Sequence, residues 1–531
     1  KMSVLDTACR RVLRMKFALG LFENPYTDEK RADTILRCPE HLATAEKIAE
    51  KSIVLLKNDG LLPLRKDLRS VAVIGPAADT VSYGDYTETR GRKGGVSVLD
   101  GIRAAVSPET EVLYERGCNF LGQALHPFDP SMLRDENGEA GLTGRYYNGP
   151  VPQGEPVQVR TDRTVNFNWI FALPHPELDA NCFSVAWTGS VIMPKTMDGC
   201  IGLSTQDSMR LYVDDKLLID GWGKDKSADQ ALDFHFEAGR TYKIRIEFVN
   251  DRRGARVIFG YSAGWENFPA AVEAARKADV AILCMGDNEE TSGENFDRTD
   301  LNLPGRQLEL VQAVYATGTP VVLVLQSGRP VTANWENDHL PAILEAWFPG
   351  EQGGTAIAKT LFGDAAPGGR LPITFPRSVG QIPCHYSRRP GGGKRYVEMD
   401  WLPLYPVGYG LTYTTFAYRD MALSRSVIDP QDTVTVSVTV TNTGKYTGDA
   451  VPQLYVRDMF SSVVKPERQL AAFRRLTLAP GESRRVELTV GPKQLRTLGP
   501  DYVWRVEPGK FELQLGDNAE NILLRADLTV E

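Results

Sequence analysis

Apolar positions along the chain change their period three times. Over residues 2–19, Leu5, Cys9, Val12 and Leu19 recur at helical spacing. Arg10, Arg11 and Arg14 supply the polar face and Gly20 a stop, which predicts one amphipathic helix. From about residue 42 to 376, continuous apolar runs alternate with amphipathic segments. Helices are predicted near 42–52, 269–278, 307–316 and 354–362, and strands near 53–57, 71–75, 111–114, 280–286, 321–326 and 343–347. Apolar runs without alternation, separated by helices, predict a mostly parallel sheet covered on both faces.

That pattern is interrupted over about 141–263. There Met209, Leu211 and Val213, and Tyr242, Ile244, Ile246 and Phe248, alternate with polar residues. A period of two between Gly/Asp turns predicts an antiparallel sandwich or barrel. It lies between two halves of one α/β pattern, so it is an insertion. The last segment alternates too: Val434, Val436, Val438 and Val440, then the turn Asn442-Thr443-Gly444 and two Pro-Gly turns at 480–481 and 508–509. A second all-β sandwich is predicted there. The fold class is therefore multidomain, α/β plus all-β.

Length agrees: 531 residues exceed one core at roughly 150 residues per domain. No run of 18 apolar residues occurs, which predicts no spanning helix. The net charge of -7 provides no basic stripe, so nucleic acid is not an expected partner. Seven scattered cysteines without a C-x-x-C pair suggest mostly buried thiols, with one Cys182–Cys200 bridge conceivable. The six histidines lack H-E-x-x-H or H-x-x-x-H spacing, so neither metal nor cofactor is expected.

The richest chemistry follows the strand near 280–286. Asp287, Glu289, Glu290, Glu294, Asp297 and Asp300 crowd a loop at that strand's carboxyl end, among Gly, Ser and Asn. Crowding and partial burial raise carboxyl pKa values, as general acid catalysis near neutrality requires. Composition alone allows equally a solvated acidic loop. A second loop, 83–95, ends another α/β unit. It holds Tyr86 and Arg90 among glycines and reads by itself as a flexible Gly-rich turn. Its glycines lack phosphate-loop spacing.

Four segments together resemble family 3 glycoside hydrolases. V-L-R-M-K-F-A-L-G-L-F-E-N-P (12–25) resembles the end of that family's catalytic barrel, and S-I-V-L-L-K-N-D-G-L-L-P-L (52–64) the entry to its α/β sandwich domain. W-F-P-G-E-Q-G-G…P-G-G-R-L-P-I-T-F-P (347–376) is similar to that domain's end, and Y-P-V-G-Y-G-L-T-Y-T-T-F (405–416) to the lead into a fibronectin type III-like domain. Gly144-Arg145-Tyr146-Tyr147, Trp187-Thr188-Gly189 and Leu211-Tyr212-Val213-Asp214 make the insertion similar to a protective-antigen-type sandwich. The resemblance divides the chain at 1–40 (end of a barrel and linker), 41–138 and 266–385 (α/β sandwich), 139–265 (insertion), 386–420 (linker) and 421–531 (fibronectin type III-like).

It implies a retaining, exo-acting β-glucosidase. Ser292-Gly293-Glu294 followed by Phe296-Asp297-Arg298 matches the register of the family's acid/base segment, with Asn295 in place of the usual glycine. Glu294 is then the acid/base, with Glu290 the alternative. Asp297 and Arg298 are expected to pair with each other or with backbone, and Tyr86 and Arg90 to flank the +1 subsite. The nucleophilic aspartate, which the family carries in an S-D-W-type segment of the barrel, has no counterpart here; Asp400-Trp401 lies in the linker. The expected partners are an oligosaccharide or aryl β-glycoside substrate and a barrel outside these residues; the reading allows a homodimer. A chain without that barrel is expected to be inactive alone. A β-xylosidase and a non-catalytic carbohydrate-binding scaffold remain open. In the insertion, Trp222 and Asp214-Asp215 are either a sugar or calcium site or ordinary turn residues. The absence of an N-x-[ST] sequon suits a bacterial protein, periplasmic or secreted, with a cytoplasmic location also open.

Overall fold

A computed structural model describes residues 1–531 apart from 85–86, 88–93, 122–124, 170–172, 206, 224–229, 251–255, 264–267, 289–290, 295 and 392–394. The chain opens with α1 (Met2–Ala18), whose Gly20 takes φ +66° just past the helix end, then α2 (Glu29–Ile35) and α3 (Pro39–Ser52). No residue of α1 is buried, and Leu5, Val12, Met15 and Phe17 of its apolar face are exposed.

The α/β body is built on six strands. They are β1 (Val54–Asn58), β2 (Ser70–Ile74), β3 (Glu111–Glu115), β4 (Val280–Gly286), β5 (Val321–Gln326) and β6 (Ala342–Glu345). Their order is β1-β6-β5-β4-β2-β3; only β1 runs antiparallel. The covering helices are α4 (Val98–Ala105), α5 (Phe268–Lys277), α6 (Gln307–Tyr315), α7 (Asn334–His339) and α8 (Gly353–Leu361). Successive strand residues point to opposite faces. Val71, Val73, Ile282 and Cys284 pack with Val98 and Ile102 of α4 and Ile357 and Leu361 of α8. Ala72, Ile74, Leu283 and Met285 pack on the other face with Ala271 of α5 and Leu310 and Val314 of α6. Both faces are buried, which is why these strands read as unbroken apolar runs.

Connections leave the neighbouring strands β2 and β4 toward opposite faces and opposite edges: β2 through α4 to β3, β4 through α6 to β5. Such a reversal opens a crevice at the strands' carboxyl ends, the usual place for a ligand in an open α/β sheet. Two glycines let the chain peel away there. A Cβ on Gly75 (φ +123°) would lie 2.2 Å from the Cys284 carbonyl oxygen, and one on Gly286 (φ +140°) 2.0 Å from that of Gln326. Gly286→Ala meets both a backbone clash and a conformation hostile to L side chains. It is expected to destabilise the α/β body by about 3 kcal/mol or more. Chemical denaturation checks this; a loss under about 1 kcal/mol would contradict the geometry.

Between β3 and α5 the insertion forms two antiparallel sheets. One contains Phe183–Ile192, Ser208–Val213 and Thr241–Asn250, the other Met197–Thr205, Gln230–Phe236 and Arg256–Ala263. Trp187, Leu211, Ile246 and Phe248 of the first meet Ile201, Leu203, Phe236 and Phe259 of the second in one core. At the carboxyl end, Val434–Asn442 lies centrally in a three-stranded sheet and Gly509–Gly516 within a five-stranded one, closed over Val434, Val436, Val438 and Val440. Buried Asp449 ties this sandwich to the α/β body through Lys51 (2.7 Å) at the end of α3.

Two readings of the cysteines change. All seven cysteines are free, so there is no Cys182–Cys200 bridge; three (Cys118, Cys200, Cys284) rather than most are buried. The short helices α2, α4 and α7 were not predicted. Among the described residues no helix is long and apolar enough to cross a membrane.

Candidate active site

The two loops singled out from sequence leave the two strands that flank the crevice: 76–97 follows β2 and 287–306 follows β4. The second is tied at its base by Gln307, which is fully buried. Its Oε1 accepts from the Gly286 amide (2.7 Å), while Nε2 donates to the carbonyls of Gly286 (2.9 Å) and Pro304 (3.2 Å), so one side chain closes both ends. Within the loop, Thr291 and Ser292 amides donate to the Asn288 carbonyl and the Phe296 amide to that of Gly293. These turns lift Glu294 to the surface, where it is exposed.

The carboxylates separate by position. Asp287, first after β4, is 2% exposed; Glu294 and Asp297 are exposed and Asp300 half-buried. Glu289 and Glu290 lie outside the described residues. The partial burial expected at Glu294 is therefore not supplied by the described residues; Asp287 is the interior carboxylate. Ser327 Oγ donates to Asp287 Oδ2 at 2.6 Å. Arg298 Nη1 stands 3.4 Å from Oδ1 and Arg329 Nε 3.8 Å from Oδ2. Arg298 also donates to the Asn302 carbonyl (3.0 Å) and faces Asp300 at 3.6 Å. The expected backbone bond is present, and among the described residues the carboxylates that Arg298 reaches are Asp287 and Asp300.

Behind Ser327, at the end of β6, Glu345 is fully buried and accepts from the Trp347 amide at 2.8 Å. Burial raises its carboxyl well above the ordinary range, and the nearby Asp287 charge adds to this. Phe348, two residues beyond Ala346, packs against both Gly84 and Gly328: a Cβ at either would come within 3.2 Å or 2.8 Å of its ring. One aromatic ring thus touches the loops after β2 and β5.

Tyr86 and Arg90 lie outside the described residues. The neck of their loop is held by Tyr83 Oη donating to the Gly94 carbonyl (2.7 Å) and by the Val96 amide donating to Glu351 (2.8 Å). In the insertion, Asp214 and Asp215 (φ +51° and +63°) form the two-residue turn of a hairpin. Asp214 accepts from the Lys243 amide (2.9 Å), and Asp215 pairs with the Lys243 ammonium (2.8 Å). Trp222 lies under the Arg210 guanidinium at 5.0 Å. These are turn and strand-surface contacts, and among the described residues no group of three His, Cys, Asp or Glu side chains is placed to hold a metal. Asp287, Ser327, Arg329 and Glu345 were not read as a set from sequence; the signal was their common position at or just after strand ends.

Residues 53–413 match the glycosyl hydrolase family 3 C-terminal domain, and 450–519 a fibronectin type III-like domain. A β-glucosidase of Rhizobium radiobacter is 33% identical over the whole chain and 67% of its own length. A β-xylosidase of Formosa agariphila is 32% identical over the whole chain and 56% of its own length. The crystal structure of β-glucosidase from Kluyveromyces marxianus in complex with glucose superposes with a TM-score of 0.75 at 28% identity, over the whole chain and 68% of that structure. With a periplasmic β-glucosidase of Salmonella typhimurium included, the chain spans 55–67% of the length of three curated relatives. The match over well more than half its length places this chain in glycosyl hydrolase family 3, as a bearer of the family's C-terminal domain followed by a fibronectin type III-like domain.

Proposed function

We propose that the protein to which this chain belongs is a retaining, exo-acting β-glucosidase that releases non-reducing terminal β-D-glucosyl residues. In this reading Glu294 is the general acid/base. It protonates the glycosidic oxygen while an aspartate from a barrel outside these residues attacks the anomeric carbon. Glu294 then deprotonates the water that releases the sugar with its configuration retained. Tyr86 and Arg90 flank the +1 subsite, and the insertion, a protective-antigen-type sandwich, overhangs the mouth and limits substrate length.

One observation carries the reading: Glu294 is exposed on a loop tied at its base to the strand beside the sheet's switch point. Two facts support an external nucleophile. No S-D-W segment occurs in the sequence, and the apolar face of α1 is uncovered by the described residues. The chain alone is then inactive.

A β-xylosidase is the second reading, favoured by the Formosa agariphila relative. Aryl β-glucoside and β-xyloside turnover by the full-length protein decides between them, with proton NMR of the first-released anomer. Preferential glucoside cleavage giving the β-anomer is expected. The α-anomer first would exclude double displacement, and no turnover of either substrate would favour a non-catalytic scaffold.

A further inference from the structure

We propose that Asp287, with Arg329 and Arg298, is a positioning device that sets the pose of Glu294. The inference rests on Glu294 being the acid/base. Glu294 stands on an exposed turn beside Gly293, and proton transfer requires placement within about 0.5 Å. Something must restrain the 20-residue connection between β4 and α6 that carries it.

Arg329 supplies the restraint at the right place. Its Nη2 donates to the carbonyls of Thr291 (3.1 Å) and Phe296 (3.4 Å), three residues before Glu294 and two after. One guanidinium nitrogen thus bridges the base of the turn. Arg298, within the loop, donates to the Asn302 carbonyl and so holds the stretch beyond the turn. Both cations converge on the Asp287 carboxylate, with side chains only 21% and 17% exposed, so solvent screens the pairs weakly.

Asp287 itself belongs to the rigid sheet. Its amide donates to the Gln326 carbonyl at 2.8 Å, and Ser327 fixes its side chain. Sheet edge, Asp287, arginine and loop carbonyl form one hydrogen-bonded and ion-paired chain ending on either side of Glu294. Asp287 is buried behind the loop, so it acts through the arginines and does not meet substrate.

The test uses leaving-group dependence in the full-length protein. A misplaced acid slows departure of poor leaving groups and leaves good ones nearly untouched. Asp287→Asn and Arg329→Met are each expected to lower kcat/KM on an alkyl β-glucoside about 100-fold. The loss on 2,4-dinitrophenyl β-glucoside should stay below roughly fivefold, since no proton is needed there. Should either variant fail to fold by circular dichroism, Ser327→Ala, which deletes a single hydroxyl, supplies the same ratio at smaller amplitude. Equal losses on both substrates would overturn the proposal and leave a structural role; unchanged alkyl-glucoside turnover would overturn it too. Glu294→Ala measured alongside separates the two ideas. If that variant shows no leaving-group discrimination, the assignment of Glu294 itself has failed.

Discussion

Glu294→Ala in the full-length protein is expected to lower kcat/KM on unactivated β-glucosides by about 10³-fold, within the range of general acid catalysis. An alkoxide leaving group is too basic to depart unprotonated, so removing the proton donor puts that cost on the first step. A dinitrophenolate leaves without help, so its kcat/KM should fall little. Its kcat should fall because the second step loses its base. Azide needs no deprotonation and fits the space left by the carboxylate. It should therefore restore turnover and yield the β-glucosyl azide. Undiminished hydrolysis of an alkyl glucoside by this variant would remove Glu294 from the mechanism, with Glu290 the next residue to test.

The second large effect concerns stability. Glu336 on α7 is 3% exposed, and burial pushes its carboxyl up to about 7 from an ordinary 4.5, against a smaller pull from its own backbone amide. Below pH 4.5 folded and unfolded chains are both protonated there. Between 4.5 and 7 the unfolded chain releases a proton that the folded one keeps. Stability fully present below 4.5 is thus lost as pH rises through 7, by about 3 kcal/mol. Glu345, buried and raised for the same first reason, acts in the same direction. Glu336→Gln keeps the shape of the neutral acid without the titration. Its unfolding temperature should match the parent's near pH 4 and exceed it at pH 8 by roughly 5–10 °C for the α/β transition. Calorimetry at both pH values decides; parallel curves would mean that Glu336 ionises without penalty.

Much of the fold was legible because burial on two faces leaves a plain mark. Residues 280–286 and 321–326 read as strands because nothing polar interrupts them, and they form β4 and β5 with those bounds. The alternation of Tyr242, Ile244, Ile246 and Phe248 likewise marked an inward row, and all four are buried. The short helices were not legible. Within α4, Gly101 weakens local propensity, yet a Cβ there would lie 2.2 Å from the Gly354 carbonyl oxygen of α8, so close packing selects it. In α7, Asn-Trp-Glu-Asn-Asp-His has no helical apolar stripe.

The sequence by itself determined the α/β pattern, the two all-β blocks and the acidic loop after β4, because hydrophobic period and turn chemistry are local properties. It could not rank six carboxylates in that loop by environment. Only the tertiary structure sent Asp287 inward to Ser327, Arg298 and Arg329 and Glu294 outward. The reason is physical: Ser327 and Arg329 follow a neighbouring strand and stand about 40 residues away in sequence, brought to Asp287 by the parallel pairing of β4 with β5.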